Sequence, residues 1–184
     1  MTSKNTTATL QKINAVDLLK KDHKAVRELL KELADTKTRS AQKRERLFAK
    51  IHQDLKAHTT IEEEIFYPAY HEAAKTHPDL KLFFEAEEEH GLVDIVLGAL
   101  ESGDPSSEEY GAKCKVLKDL VDHHAKEEEG EMFPRAKRLL GKKRLEELGA
   151  EMQARKEQIL TGYVTTERRV KNGRVRSTSL DQWR

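Results

Sequence analysis

His58-Thr59-Thr60-Ile61-Glu62 is the stretch that decides the fold, and His124-Ala125-Lys126-Glu127-Glu128 is a second stretch of the same kind. In each, a histidine and a glutamate stand four residues apart, which on an α-helix places both side chains on one face, one turn apart. Each leads after the same distance to an aromatic residue and a proline, Tyr67-Pro68 and Phe133-Pro134. Two such pairs facing one bundle interior predict most of a two-metal site, since each offers an imidazole nitrogen and a carboxylate oxygen.

An internal repeat adds one histidine to each stretch. His23 follows Asp22 and His90 follows Glu89, 67 residues further along, while the two histidine-glutamate pairs are 66 residues apart. Each half therefore predicts a helix with one inward histidine, then a helix with an inward histidine and glutamate. Two αα-hairpins packed face to face give an all-α, up-down-up-down four-helix bundle. The candidate metal ligands are His23, His58, Glu62, His90, His124 and Glu128.

The apolar residues recur at steps of three and four, which indicates bundle-facing helices, and the candidate ligands lie on these seams. The clearest seams are Val16, Leu19, His23, Val26, Leu30, Leu33 in the first helix, Phe48, Ile51, Leu55, His58, Glu62, Ile65, Ala69 in the second, and Tyr110, Cys114, Leu117, Val121, His124, Glu128 in the fourth. The third helix is less regular, with Leu80, Phe83, Glu87, His90, Val93 or Asp94, Leu97 and Leu100 predicted to face inward. We expect Tyr67 and Tyr70 to be packing residues, with a role as hydrogen-bond donors near the metals as the alternative.

Breakers and caps divide the chain. We predict a flexible N-terminus (1–12), the bundle (13–140), an accessory helix (141–162, ending near Leu160) and a disordered basic tail (163–184). Asn14 and Ser40 are predicted to cap the first two helices, and Ser106 with Glu109 to form a capping box for the fourth. His77-Pro78-Asp79 predicts a break before a third helix starting at Leu80, and Gly141 predicts the break after the bundle. Pro68 predicts a kink in the second helix.

Composition narrows the function classes. The 184 residues include 34 Lys and Arg against 33 Asp and Glu, so the charge balance gives no general attraction to nucleic acid or to anionic membranes. One cysteine, Cys114, excludes an internal disulfide framework, and its place on a seam predicts a buried apolar residue rather than a nucleophile. No apolar run of the roughly 20 residues that span a bilayer occurs. We expect a cytoplasmic protein with no nucleic-acid or membrane partner and with protein partners unspecified.

The imidazole and carboxylate groups on the buried seams indicate a metal site. Burying six imidazole and carboxylate groups without partners costs several kcal/mol each, against a net stability of about 5–15 kcal/mol for an ordinary domain. Four imidazoles and two carboxylates suit iron, manganese or zinc by ligand type. Six shared ligands around two ions leave coordination positions open, which favours octahedral iron over closed tetrahedral zinc. The other histidines, His52, His71, His77 and His123, lie off the seams or near a helix end and are not predicted ligands.

These motifs resemble the hemerythrin-like, cation-binding HHE family over about residues 14–140. The resemblance rests on Asp22-His23, His58 to Pro68, Glu89-His90 and His124 to Pro134. It implies a non-haem di-iron centre, with two iron ions as cofactor, Glu62 and Glu128 bridging them and the four histidines as terminal ligands. Oxygen-carrying members have a fifth histidine where this chain has Ala86, beside Glu87 as a partial substitute, and an aspartate one residue beyond Glu128.

The resemblance implies binding, sensing or detoxification of a small ligand (O2, peroxide or NO) at an open iron position. Three alternatives stay open from the sequence: a di-iron redox enzyme that turns over peroxide or NO, a protein for iron storage or donation, and a metal-free helical interaction module. The enzymatic alternative needs no protein nucleophile, because the iron pair would carry the redox change. Whether the chain is an enzyme is therefore left open.

Overall fold

The computed structural model describes residues 13–171, with side chains as far as residue 163. The predicted flexible N-terminus (1–12) and the last part of the predicted tail (172–184) lie outside the described residues. Within them the chain is helical, without a β-strand: α1 (Ala15–Ala34), a 3-10 turn (Thr38–Ser40), α2 (Ala41–Ile61), a π-helical turn (Glu62–Phe66), α3 (Tyr67–Ala73), α4 (His77–Glu101), α5 (Glu108–Glu127), a second π-helical turn (Glu128–Met132) and α6 (Phe133–Lys171). None of the described helices is long and apolar enough to cross a membrane.

The predicted up-down-up-down bundle is confirmed. Its four members are α1, α2 continued into α3, α4, and α5 continued into the first part of α6. The predicted seams of α1 and α5 are buried throughout. The seam of α4 selects Val93 rather than Asp94, and Glu87 is exposed, so the prediction that Glu87 faces inward is wrong.

Polar residues divide the core into two apolar layers at one level. In α1, His23 lies between Leu19 in one layer and Val26 in the other. His58 lies in the same way between Leu55 and Ile61, His90 between Ala86 and Val93, and His124 between Val121 and Met132. At the level where the two core layers meet, each of the four bundle helices therefore carries a histidine in a position that is otherwise apolar.

Each half of the bundle carries a π-helical turn that starts at its candidate glutamate. The turns Glu62–Phe66 and Glu128–Met132 place one extra residue in the helix, and such turns are frequent at functional sites. After the turn the inward face of the second helix passes from Ile65, which is half-buried, to Phe66 and Tyr67, which are fully buried. The break in helical regularity thus precedes Pro68, which lies in the first turn of α3.

The caps differ in part from the sequence prediction. Asn14 caps α1 through its side chain, as predicted. Ser40 precedes α2 but its side chain makes no capping hydrogen bond. The capping residue of α5 is Ser107, not Ser106, because Ser106 bonds to Asp104 in the preceding turn. His77-Pro78-Asp79 begins α4 rather than breaking the chain, since Thr76 caps that helix.

The C-terminal part of α6 packs back onto the bundle after a break at Gly141, whose φ of 71° is a left-handed conformation that glycine adopts without strain. A Cβ at Gly149 would lie 2.3 Å from the carbonyl oxygen of Ile13, so glycine here allows α6 to approach the start of α1. The helix continues to Lys171, so the predicted end near Leu160 and the predicted start of a disordered tail at residue 163 are both too early.

Candidate metal centre

The six predicted ligands converge at the level between the two core layers. Their exposed fractions are 5% or less. The Nε2 atom of His23 lies 3.1 Å from Oε2 of Glu128, and Nε2 of His58 lies 3.1 Å from Oε2 of Glu62. Five of the residues each offer one ligand atom to a common point, and these five atoms all lie within 4.8 Å of one another: His23, His58, Glu62, His124 and Glu128. His90, the sixth, contacts this group through Glu62 at 3.4 Å and His124 at 3.2 Å.

The four imidazoles form two pairs, one for each half of the repeat. The ring centroids of His23 and His58 are 4.8 Å apart, and those of His90 and His124 are 4.7 Å apart. Between the pairs, His23 and His124 are 6.4 Å apart. The two carboxylates connect the pairs, because Glu62 contacts His58 and His90 and Glu128 contacts His23 and His124.

Several inward-facing atoms have no hydrogen-bond partner, which makes the residues present fit a cation pair. These buried atoms are Nε2 of His23, Nε2 of His58, both carboxylate oxygens of Glu62 and Oε2 of Glu128. Buried polar atoms in native proteins are nearly always satisfied, and leaving a carboxylate buried without a partner is costly. A nitrogen- and oxygen-ligated dication satisfies all of them at once.

Each histidine presents its second ring nitrogen to a carboxylate that does not face the centre. Nδ1 of His90 lies 2.8 Å from Glu63, and Nδ1 of His124 lies 2.8 Å from Glu89. The partner of His23 is Glu129 at 3.0 Å, and that of His58 is Asp22 at 3.6 Å. This is the arrangement by which proteins fix the tautomer of a metal-ligating histidine and leave Nε2 free for the metal.

No role is predicted from the sequence for these four carboxylates, because the prediction considers only side chains on the buried seams. A signal was present, however, since each carboxylate adjoins a predicted ligand and obeys the repeat. Asp22 and Glu89 each precede a histidine, and Glu63 and Glu129 each follow a glutamate of the centre.

Tyr67 is the hydroxyl nearest the centre. Its Oη donates a hydrogen bond to Oε1 of Glu128 at 3.0 Å and lies 3.3 Å from Nε2 of His90. Of the two roles considered for Tyr67, the structure selects the hydrogen-bonding one, and the π-helical turn contributes to it because it moves Tyr67 onto the inward face. At the equivalent position of the repeat, Phe133 stacks on His23 with a ring separation of 5.8 Å but brings no hydroxyl.

The pKa values of the two central carboxyl groups shift in opposite directions. Burial and the neighbouring charge of Glu128 raise the pKa of Glu62 well above its usual range. Burial alone would also raise the pKa of Glu128, but the charge of His124 and the contact with His23 outweigh it and lower that pKa. Burial lowers the pKa of His58 to about 4. Two closely spaced carboxyl groups are thus driven apart in pKa by their shared environment.

A small cavity lies on one side of the four histidines, with room for about one water-sized molecule. Its wall opposite the imidazoles consists of apolar side chains from all four bundle helices, Val26, Leu55, Val93 and Val121. Asp22 and Thr59 complete the lining of the cavity.

Histidines outside the seams lie away from the centre, as predicted. His71 and His77 are exposed, and His123 is 61% exposed. Cys114 is fully buried, and burial raises the pKa of its thiol to about 11, which agrees with an apolar role. Ala86 is buried on the inward face of α4, and the exposed position of Glu87 overturns its proposed substitution for a fifth histidine.

Comparisons with known proteins agree with the geometry. An uncharacterized protein, Rv2633c, from Mycobacterium tuberculosis is 29% identical over 148 residues, which cover 80% of this chain and 88% of that protein. A DNA nickase from Nostoc sp. is 28% identical over 149 residues, and the match covers 81% of this chain but only 41% of the nickase. The crystal structure of an HHE domain-containing protein from Mycobacterium kansasii, a homologue of Rv2633c, superposes with a TM-score of 0.72 at 30% identity, covering 85% of this chain and 93% of that one.

The family and the cluster together indicate metal binding. The family model for the hemerythrin HHE cation binding domain matches residues 14–136, which include all six predicted ligands. The buried His/Glu cluster lies within that range and offers its ligand atoms to a common point. The chain therefore belongs to the hemerythrin HHE cation-binding family.

Proposed function

We propose that the chain is a non-haem di-iron protein that binds a small ligand, O2, peroxide or NO, beside its metal centre. The observation that carries the proposal is the convergence of six buried side chains, four of which, His23, His58, Glu62 and Glu128, have an inward atom without a hydrogen-bond partner. His23 and His58 would hold one ion, His90 and His124 the other, and Glu62 and Glu128 would lie between them. A bound iron pair supplies the open coordination position and exchanges electrons with the ligand.

The cavity beside the histidines supports a small ligand. Its volume admits about one water-sized molecule, and Val26, Leu55, Val93 and Val121 make its far wall apolar. Such a wall excludes charged solutes, because a charge would lose its hydration there without gaining a partner. The chain itself thus selects by size and polarity.

Turnover of peroxide is the second candidate, and Tyr67 favours it. The Tyr67 hydroxyl is fully buried and donates a hydrogen bond to Oε1 of Glu128. Its oxygen lies 3.3 Å from Nε2 of His90. Burial and the charge of Glu128 raise the pKa of Tyr67 well above its usual range, so the hydroxyl keeps its proton at neutral pH. Tyr67 packs in the core layer opposite the apolar wall of the cavity and does not line it, so its hydroxyl would serve a ligand held between the imidazoles and carboxylates rather than one in the cavity.

Metal content tests the ligand set. We expect about two equivalents of iron in protein purified without chelators and loaded anaerobically, and an absorption spectrum that changes on adding O2, peroxide or NO. His58→Ala and Glu62→Ala should lose metal, because each removes a buried donor, whereas His71→Ala should retain it. Equal metal content in the three variants would contradict the ligand set. Metal well below one equivalent in the native chain would favour a helical interaction module, and many equivalents would favour storage.

The contribution of Tyr67 to turnover is tested by Tyr67→Phe. We expect this variant to keep two equivalents of iron and its binding of NO, because no ligand of the centre changes. Oxygen evolution from added peroxide should fall by about tenfold or more if the hydroxyl acts on the ligand. Unchanged oxygen evolution at equal iron content would remove Tyr67 from the mechanism, and no evolution in the native protein would leave binding or sensing as the function.

A further inference from the structure

The cationic side chains around the candidate metal centre do not obey the internal repeat. In the first half, Nη1 of Arg27 lies 3.0 Å from Oε1 of Glu129, the carboxylate that faces His23. Nζ of Lys156, in α6, lies 2.5 Å from Oδ1 of Asp22, the carboxylate that faces His58. Both outer carboxylates of the His23/His58 pair are therefore shared with a fixed positive charge.

The second half lacks these cations. Among the described residues, Glu63 contacts only His90 in an ion pair, and Glu89 contacts only His124 and His123. The repeat places Asp94 where the first half has Arg27, and Asp94 pairs with a lysine of α2 instead. Lys156 has no counterpart in the second half of the repeat, because the part of α6 after Gly141 lies outside the repeat and packs on one side of the bundle.

This difference changes how strongly each imidazole donates to a metal. A carboxylate that accepts the Nδ1 proton of a histidine makes Nε2 a better electron donor, and a cation on the same carboxylate weakens that effect. The distances follow the charges, since Nδ1 of His58 lies 3.6 Å from Asp22 whereas Nδ1 of His124 lies 2.8 Å from Glu89. The nearby ammonium and guanidinium also repel a dication directly.

We propose that the two metal positions are unequal, with the His90/His124 position the tighter one and Lys156 and Arg27 holding the His23/His58 position as the weaker one. The inference rests on the proposed two-metal centre and adds an order to it. His90 and His124 would take up a first ion, and His23 and His58, next to the accessory helix, would release their ion more readily.

Titration of the metal-free full-length chain with Co2+ alone tests the order, because its absorption reports each binding step. We expect two steps whose dissociation constants differ by about tenfold or more. His124→Ala should abolish the tight step and His58→Ala the weak one. The opposite assignment, or two equal steps in the native chain, would overturn the inference while leaving a two-metal centre in place. Failure of the native chain to bind any Co2+ would overturn the proposed function itself.

Lys156 is tested by substitution with a matched control on the same helix. Lys156→Met should tighten the weak step by about tenfold and leave the tight step within about twofold, since it removes the cation from Asp22. Lys156→Arg should behave as the native chain does, because it keeps the charge. Arg155→Met is the control, for it removes a neighbouring ion pair between α6 and the bundle, with Glu64 at 2.6 Å, that does not contact an outer carboxylate.

The control separates docking of α6 from the charge effect. Equal changes in Lys156→Met and Arg155→Met would mean that α6 acts only through packing, and would overturn the assignment to Lys156. Arg27→Met offers a second route to the same readout, and it leaves the α6 contacts intact. A weak step that tightens in neither Lys156→Met nor Arg27→Met, with circular dichroism showing native helicity, would also overturn the inference.

Discussion

Removal of metal should lower the thermal unfolding temperature of this protein by about 10 °C or more. Five buried atoms of the centre lack a hydrogen-bond partner without metal, namely Nε2 of His23, Nε2 of His58, Oε1 and Oε2 of Glu62 and Oε2 of Glu128. Each buried polar atom left unsatisfied costs about 1–3 kcal/mol, so the five together cost roughly 5–15 kcal/mol. Four of these atoms lie 3.1 Å from one another in two histidine-glutamate pairs, His23 with Glu128 and His58 with Glu62, and this partial compensation favours the lower end, about 5 kcal/mol.

The conversion to temperature follows from the size of the chain. For a domain of this length, 1 kcal/mol shifts Tm by about 2–4 °C, so a loss of about 5 kcal/mol shifts it by about 10–20 °C. Calorimetry should compare native protein, protein dialysed against a chelator, and the dialysed protein reloaded with iron under anaerobic conditions. Reloading should restore the native Tm, and His71→Ala should show the same difference as the native chain. A Tm that changes by less than about 2 °C on metal removal would refute the reasoning.

Two further perturbations test separate parts of the molecule. Gly149→Ala should destabilise the chain by about 2 kcal/mol in urea denaturation, because the new Cβ would clash with the Ile13 carbonyl oxygen, whereas Gly98→Ala in α4, where an added Cβ meets nothing within 4 Å, should not destabilise it. The pKa of His58, about 4 in the folded metal-free chain against about 6.5 unfolded, gives stability that is present above pH 6.5 and lost as pH falls toward 4. The stability difference between native chain and His58→Gln should therefore shrink by about 2 kcal/mol from pH 7 to pH 5, and a constant difference would contradict the assigned burial.

The sequence was sufficient for the inner part of the centre. All six predicted ligands are buried at one level, because helical spacing fixes which face a side chain takes and the repeat fixes that both halves do the same. Spacing of this kind uses only the regular helix. It therefore failed where the helix is irregular, at the π-helical turn Glu62–Phe66, which carries Tyr67 to the inward face and into contact with Glu128.

Helix boundaries and edges were predicted less well, for reasons of competing local bonds. Ser106 and Ser107 are equal as capping residues in sequence, and the choice of Ser107 depends on Ser106 bonding to Asp104. Pro78 was interpreted as a break, yet proline is tolerated in the first turn of a helix, where α4 places it. The inward face of α4 was hard to predict because the helix carries apolar residues on both of its faces. Phe84, Leu92 and Ile95 are exposed, whereas Phe83, Val93 and Leu97 are buried, and this register leaves Glu87 exposed.

The outer part of the centre shows where a symmetric sequence yields an asymmetric site. The contrast between Arg27 and Asp94 is visible in the repeat, because the two residues occupy equivalent positions. The contribution of Lys156 is not visible there, since its contact with Asp22 depends on how α6 docks against α1, a docking that Gly149 permits. The accessory part of α6 thus contacts one outer carboxylate of the His23/His58 pair, Asp22, and contacts no outer carboxylate of the His90/His124 pair among the described residues. This is why Lys156→Met, remote in sequence from every candidate ligand, should alter one metal-binding step and not both.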